Sequence, residues 1–203
     1  MKFICATKNW YFTPKIRESN MADTHYAINI AGLERNLRLF EIKPGVRIAI
    51  LNILGDTELV MAASRALAAR LREYNPELLV TAEAKSIPLA YALSIDLGIP
   101  YVVLRKSYKP YMGHALQSET LSITTGKPQT LYLDEKDREL VQGRRVALVD
   151  DVISTGSTLQ GMRLIMDKAG ANIVAEAAIL TEGDRAKWTD VIALGHLPVW
   201  VDE

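Results

Sequence analysis

The sequence predicts an α/β domain built on a central, mostly parallel sheet with helices on its faces. Three observations predict it. Short apolar runs of strand character alternate with longer segments whose apolar residues recur every three or four positions. Two of those helical segments end on a glycine, Gly98 and Gly170, the residue that tolerates the left-handed turn closing a helix. A chain of 203 residues suffices for one core with a small appendage but is short for two independent domains.

The elements follow in order. From His25 to Leu33 polar and apolar residues alternate with strand periodicity, and the first forty residues read as a small flanking subdomain. Pro44-Gly45 signals a turn, and Val46 to Leu51 reads as a mostly buried strand. Asp56 opens a helix with apolar positions at Leu59, Val60, Ala63, Leu67 and Leu71, and Asn75-Pro76 stops it. Glu77 to Thr81 is the next strand, Ile87 to Leu97 a helix, and Tyr101 to Leu104 a third strand. Strand, helix and strand in short alternation imply parallel pairing. The segment from Arg105 to about Thr130 breaks the rhythm. It is rich in Ser, Thr, Gly, Lys and Tyr, and is longer than an ordinary connection. Leu131 to Leu133 reads as a short strand, Val146 to Val149 as a buried one, Leu159 to Ala169 as a helix and Ile173 to Leu180 as a further strand.

Composition narrows the function classes. Hydrophobic residues make up 49% and charged residues 24%, and 24 basic side chains balance 24 acidic ones, so no nucleic-acid or membrane partner is expected. The apolar run at the N-terminus is interrupted at Lys8 and Asn9, and no apolar stretch approaches the ~20 residues that span a bilayer. Cys5 is the single cysteine, and no Cys/His cluster has metal-ligand spacing. A cytoplasmic protein is expected.

The most informative stretch runs Val146-Ala-Leu-Val-Asp150-Asp151-Val-Ile-Ser154-Thr155-Gly156-Ser157-Thr158, from buried strand through polar loop into helix. A helix N-terminus offers free backbone N–H groups and positive dipole to a phosphate. Gly156 lets the backbone approach closely, and four hydroxyls add donors. The stretch has no lysine, which excludes the nucleoside-triphosphate P-loop. Asp150 and Asp151, acceptor-only when ionised, suit the two hydroxyls of a ribose.

This stretch resembles the phosphoribosyl pyrophosphate motif of type I phosphoribosyltransferases. The resemblance implies that Asp150 and Asp151 hold the ribose hydroxyls and Ser154, Thr155, Gly156, Ser157 and Thr158 the 5-phosphate. A second segment, Glu83-Ala84-Lys85-Ser86 between a strand and a helix, resembles the pyrophosphate loop of adenine phosphoribosyltransferases, with Lys85 and Ser86 where Arg and Gly are usual. Arg105-Lys106, followed by Lys109, resembles the basic pair that opens the mobile loop in the adenine and xanthine enzymes, and Lys106 is carried over as a catalytic cation. Ser122 to Lys127 looks more like the xanthine enzyme's loop. Ile30-Ala31-Gly32-Leu33 is similar to an N-terminal segment of the adenine group, and Glu182-Gly183-Asp184-Arg185 stands where the purine enzymes contribute a base contact.

What the resemblance implies is a single domain, 1–203, with a hood at about 1–43 and 181–203 and a mobile loop at about 105–130. It further implies Mg²⁺-dependent transfer of ribose 5-phosphate from phosphoribosyl pyrophosphate to a purine, adenine first, by a homodimer in purine salvage. The magnesium would arrive with phosphoribosyl pyrophosphate, and no residue is assigned as a dedicated metal ligand. The alternatives are a xanthine, hypoxanthine or guanine enzyme, or a non-catalytic sensor of phosphoribosyl pyrophosphate with the same fold.

Overall fold

The computed structural model describes residues 24–121 and 128–202. Strands β1 (His25–Ile30), β2 (Leu33–Lys43) and β3 (Val46–Ile50) form an antiparallel meander. Helix α1 (Thr57–Leu71), strand β4 (Leu78–Ala82), helix α2 (Ile87–Leu97) and strand β5 (Tyr101–Leu104) come next. A hairpin of β6 (Leu116–Leu121) and β7 (Pro128–Leu133) follows, then a single turn, α3 (Arg138–Val141). Strand β8 (Arg145–Ile153), helix α4 (Ser157–Lys168), and strands β9 (Asn172–Glu182), β10 (Ile192–Leu197) and β11 (Val199–Val201) complete the chain.

The core sheet has five strands in the order β10-β9-β8-β4-β5, every neighbouring pair parallel. Its strands are apolar on both faces because both faces are covered. Leu79, Ala147, Val149 and Ile179 pack on the side of α1 and α2, whereas Leu78, Val80, Val146 and Leu148 pack on the side of α4 and the β6–β7 hairpin. The sequence expectation of an α/β fold with helices flanking a parallel sheet therefore holds.

The flanking sheet is where the structure departs from the sequence reading. The run Val46–Ile50 does not join the core sheet. It pairs antiparallel with β2 and with β11 in a four-stranded sheet of order β1-β2-β3-β11. Pro44-Gly45 closes a local hairpin, with Gly45 at φ +74°, and local pairing avoids the long crossover a parallel strand needs. Ile48 is then only half-buried and Ile50 exposed, while Ala49 and Leu51 point into the core. The alternating segment His25–Leu33 likewise breaks after Ile30. Ala31 and Gly32 both take positive φ, the geometry of a two-residue hairpin turn, and the Gly32 N–H donates to Asn29 Oδ1 at 3.1 Å.

The flanking sheet is thus β1 to β3 plus β11, spanning 25–50 and 199–201, whereas Thr181, Glu182 and Ile192–Leu197 belong to the core sheet through the pairing of β9 with β10. Arg35 on β2 ties the hood to α1. Its guanidinium bonds the Asp56 carboxylate at 2.7 and 3.0 Å and Glu58 at 2.9 Å, and Asp56 also caps α1 by accepting from the Leu59 N–H.

The 105–130 segment also differs from a plain loop. Its described part contains a turn at Pro110–Met112 and most of the β6–β7 hairpin, with Met112 and Ser118 buried. The Ser118 hydroxyl donates to the Gly161 carbonyl on α4, and a Cβ at Gly161 would lie 2.9 Å from Leu131 Cδ1. Small residues on the facing surfaces let the hairpin lie close to the helix. That is why a stretch poor in large apolar side chains still packs. Residues 122–127, whose sequence resembles the xanthine loop, lie outside the described residues, as does Cys5.

Candidate active site

All the carboxyl ends of the parallel strands point to one edge of the core sheet, where loops gather in the usual place for ligands of such folds. Asp150 and Asp151 stand near the end of β8, with Asp150 half-buried and Asp151 buried. The chain then turns through Ser154 to Gly156 into α4. Gly156 has φ +79°, and its carbonyl accepts the first bond of the helix, from Gln160 at 2.8 Å. Ser154 to Thr158 line a concavity shared with Asp150 and Gln129. Among the described residues no cationic side chain lines it, so an anion there meets backbone N–H groups, hydroxyls and the helix dipole.

On the other side of the carboxylates lies the loop between β4 and α2. Lys85 reaches Asp151 at 4.0 Å and the Leu51 carbonyl at 3.4 Å. A second concavity is lined by Glu83, Ala84, Lys85, Ser86 and Lys106 together with Asp150, Asp151 and Thr158. The Ser86 hydroxyl is itself buried, bonded to the Ala82 carbonyl and the Thr81 hydroxyl, so its side chain shapes the loop from behind. Glu83 joins two loops. It accepts from the Arg105 guanidinium at 2.6 Å and from the Lys106 backbone N–H, and Arg105 also reaches the Tyr111 hydroxyl.

Sequence-predicted residues therefore divide. Asp150, Asp151, Ser154 to Thr158, Glu83 to Ser86 and Lys106 line two concavities that share Asp150. Arg105 is engaged with Glu83, and Lys109 is exposed beside the Pro110–Met112 turn and lines none of these concavities. Three contributors escaped the sequence reading of the site. Gln129 comes from the hairpin, Trp188 covers Gly156, and the hood supplies Ile42, Ile48 and Val199 to a third concavity with Ser154, Thr155, Glu182, Asp184 and Lys187. They come from elements outside the contiguous motif, and a local pattern carries no signal for them.

The electrostatics follow from this packing. Burial and then the adjacent Asp151 carboxylate push the Asp150 carboxyl well above the usual range, with Lys106 opposing weakly. Burial alone would also raise Glu83, but its bonds from the Lys106 N–H and the Arg105 guanidinium outweigh that and hold it below the ordinary value. Burial raises Glu182. The site thus places a carboxyl pair that favours retaining one proton at its centre, with cationic and neutral donors around it.

Comparison with known proteins gives the same direction. The family described as the phosphoribosyl transferase domain matches residues 51–193. A hypoxanthine/guanine phosphoribosyltransferase of Methanococcus voltae is 39% identical over 110 residues, 54% of this chain and 55% of that one. The purine biosynthesis transcriptional repressor PurR of Bacillus subtilis is 30% identical over 143 residues, covering 70% of this chain and 49% of the repressor. An adenine phosphoribosyltransferase of Desulfitobacterium hafniense is 33% identical over 143 residues, 70% of this chain and 79% of that one. The chain spans about half the length of the first two of these relatives. Among solved structures, the adenine phosphoribosyltransferase of Thermoanaerobacter pseudethanolicus has a TM-score of 0.65 at 22% identity, with 79% of this chain and 95% of that one covered, which shows the shared fold.

Proposed function

Because this chain belongs to the phosphoribosyl transferase domain family, we propose that it transfers ribose 5-phosphate from phosphoribosyl pyrophosphate to a purine base, adenine first, in purine salvage. The observation that carries the reading is the convergence of two anion-suited loops on one pair of carboxylates. The loop 154–158 approaches Asp150 from one side, and the loop 83–86 with Lys106 approaches Asp150 and Asp151 from the other. The spacing suits one ligand with a phosphate at each end and a sugar between.

In the reaction the bond from the ribose anomeric carbon to pyrophosphate breaks, the electron pair leaves with pyrophosphate, and a bond to a base nitrogen forms as that nitrogen loses its proton. Asp150 and Asp151 orient the sugar by accepting from its hydroxyls, and their charge favours a cation-like ribose. The 154–158 loop anchors the 5-phosphate and so fixes where the anomeric carbon sits. Lys85 and Lys106 meet the charge that builds on the leaving pyrophosphate. The apolar hood surface of Ile42, Ile48 and Val199 offers a face for a flat base.

The donor set also bears on magnesium. Among the described residues no group of three or more His, Cys, Asp or Glu side chains could form a metal cage, and the two aspartates alone suit a hard cation that keeps most of its oxygens from substrate and water. Asp150 and Asp151 would hold it, and when bound it would neutralise charge on pyrophosphate. We further propose that it acts as a homodimer in the cytoplasm; among the described residues no helix is long and apolar enough to cross a membrane.

A second reading, a sensor that binds phosphoribosyl pyrophosphate without turning it over, draws on the 30% identity with the repressor PurR. Pyrophosphate release with adenine, hypoxanthine, guanine, xanthine, orotate and uracil separates the two. Release with a purine, adenine giving the highest kcat/KM, is the expected result. Binding of phosphoribosyl pyrophosphate without release from any base would establish the sensor, and preference for orotate or uracil would overturn the purine assignment.

A further inference from the structure

Side chains alternate along a strand, so β7 sends Gln129, Leu131 and Leu133 to one face. Leu131 and Leu133 are fully buried in the core on the side of α4. Gln129 stands at the end of that face, half-buried, where the strand meets the first turn of α4. Among the described residues it alone, from outside 150–159, lines the concavity formed by Asp150 and the loop 154–158. An amide that continues a leucine face requires a polar partner, since burying it unmet costs free energy.

The hairpin is held to α4 at several points. The Thr120 hydroxyl, opposite Gln129 in the register, lies 3.2 Å from the Ser157 carbonyl and 3.4 Å from the Gln129 carbonyl. The Ser118 hydroxyl donates to the Gly161 carbonyl at 2.9 Å, and the Lys168 ammonium to the Gln117 carbonyl at 2.7 Å. These bonds fix the Gln129 backbone against the start of the helix. Its side chain then reaches Thr158, with Nε2 3.4 Å from Oγ1, near the outer limit of a hydrogen bond. Thr158 therefore satisfies the amide poorly. Nε2 carries two N–H groups, and in the flipped orientation the amide oxygen accepts from Thr158 instead, so an N–H remains for a ligand either way.

Among the described residues the concavity has no cation, so every neutral donor counts towards holding a phosphate there. The loop and helix N-terminus supply donors from the motif itself. We propose that Gln129 is a further ligand of the 5-phosphate, its side-chain amide donating to a phosphate oxygen, so that the phosphate bridges the start of α4 and the β6–β7 hairpin. The proposal rests on the reading of this concavity as the 5-phosphate site. It adds a residue from outside the contiguous motif and makes the phosphate, without base or pyrophosphate, tighten the hairpin on the helix.

Calorimetric titration of ribose 5-phosphate, and of pyrophosphate with Mg²⁺, into the wild type, Gln129→Leu and Gln129→Glu tests it. Leucine continues the apolar face and cannot donate, whereas glutamate keeps the shape and puts an anion in place of the donor. Gln129→Leu is expected to bind ribose 5-phosphate at least about tenfold more weakly, the loss of one bond to a charged group, with pyrophosphate within twofold. Gln129→Glu is expected to lose more than the leucine variant at neutral pH, and its ratio to the wild type to narrow as pH falls and the new carboxylate takes up a proton. Ribose 5-phosphate alone should slow amide hydrogen exchange at 116–120 and 129–133 in the wild type and much less in Gln129→Leu, while ligand-free exchange there is the same in both. Ribose 5-phosphate affinity within twofold of the wild type in Gln129→Leu would overturn the assignment and leave the amide as a tie to Thr158. Equal losses for both ligands would overturn it too, since the whole cleft would then be disturbed. A wild type that binds pyrophosphate but not ribose 5-phosphate would defeat the transfer reading first, and this assignment with it.

Discussion

Asp150→Asn combined with Asp151→Asn is expected to lower turnover by about 10³-fold or more and, in the same protein, to raise thermal stability without ligand. The two effects have one cause. Burial and the neighbouring carboxylate hold the Asp150 proton to higher pH in the fold than in the unfolded chain. The fold is therefore penalised progressively as pH rises from the ordinary carboxylate range through that raised value, and at neutral pH asparagine removes the penalty. An increase in Tm of about 2–4 °C is expected, the shift that ~1 kcal/mol produces in a chain of this size. Below the ordinary carboxylate range, where wild-type carboxyls are protonated, the gain should vanish. Scanning fluorimetry across pH and pyrophosphate release check both halves. Turnover within tenfold of wild type would remove the carboxylates from the reaction, and a lower neutral-pH Tm would show that they act structurally.

Gly156→Ala is expected to have the second largest effect, and for two independent reasons. At φ +79° a side chain is strained by about 1–3 kcal/mol. A Cβ there would also stand 2.6 Å from Trp188 Cη2, so the indole or the loop must move. The indole cannot move freely, because its N–H is bonded to the Glu182 carbonyl. The loop proposed to present backbone N–H groups to the 5-phosphate is therefore expected to shift. The variant should lose affinity for ribose 5-phosphate by at least about tenfold, in the range expected for one or two misplaced charge-assisted bonds. Pyrophosphate, held on the other side of the aspartates, should be affected less. Trp188 emission in the wild type should respond to ribose 5-phosphate, with Trp188→Phe as the control for the other tryptophans. Equal losses for both ligands, or no loss, would separate Gly156 from the phosphate site.

Legibility in the sequence follows the distance over which each feature is determined. The strand-loop-helix from Val146 to Ala169 could be read because its apolar run, polar loop and helix start are contiguous, and the structure places them as β8, the 154–156 turn and α4. The same holds for the helix begun by Asp56, whose side chain caps it. Val46 to Leu51 misled because a mostly apolar hexad looks alike in a core strand and in a hairpin with one exposed face. Only its pairing with β2 and β11 decides. Residues 116–130 of the hairpin read as part of a loop, since there Ser118 packs against Gly161, whereas Leu131 to Leu133, which bring buried leucines to the same core, read as a strand. Trp188 and the hood wall of Ile48 and Val199 belong to the site by tertiary packing alone.

The central claim is that two anion sites flank one pair of carboxylates and serve a single ligand. Calorimetric titration of phosphoribosyl pyrophosphate, ribose 5-phosphate and pyrophosphate into the wild type, each with Mg²⁺, tests it most directly. The account predicts that all three bind, that phosphoribosyl pyrophosphate binds more tightly than either fragment with an affinity between about 1 μM and 1 mM, and that both fragments compete with it. Phosphoribosyl pyrophosphate binding no more tightly than pyrophosphate alone, or without competition from ribose 5-phosphate, would contradict it.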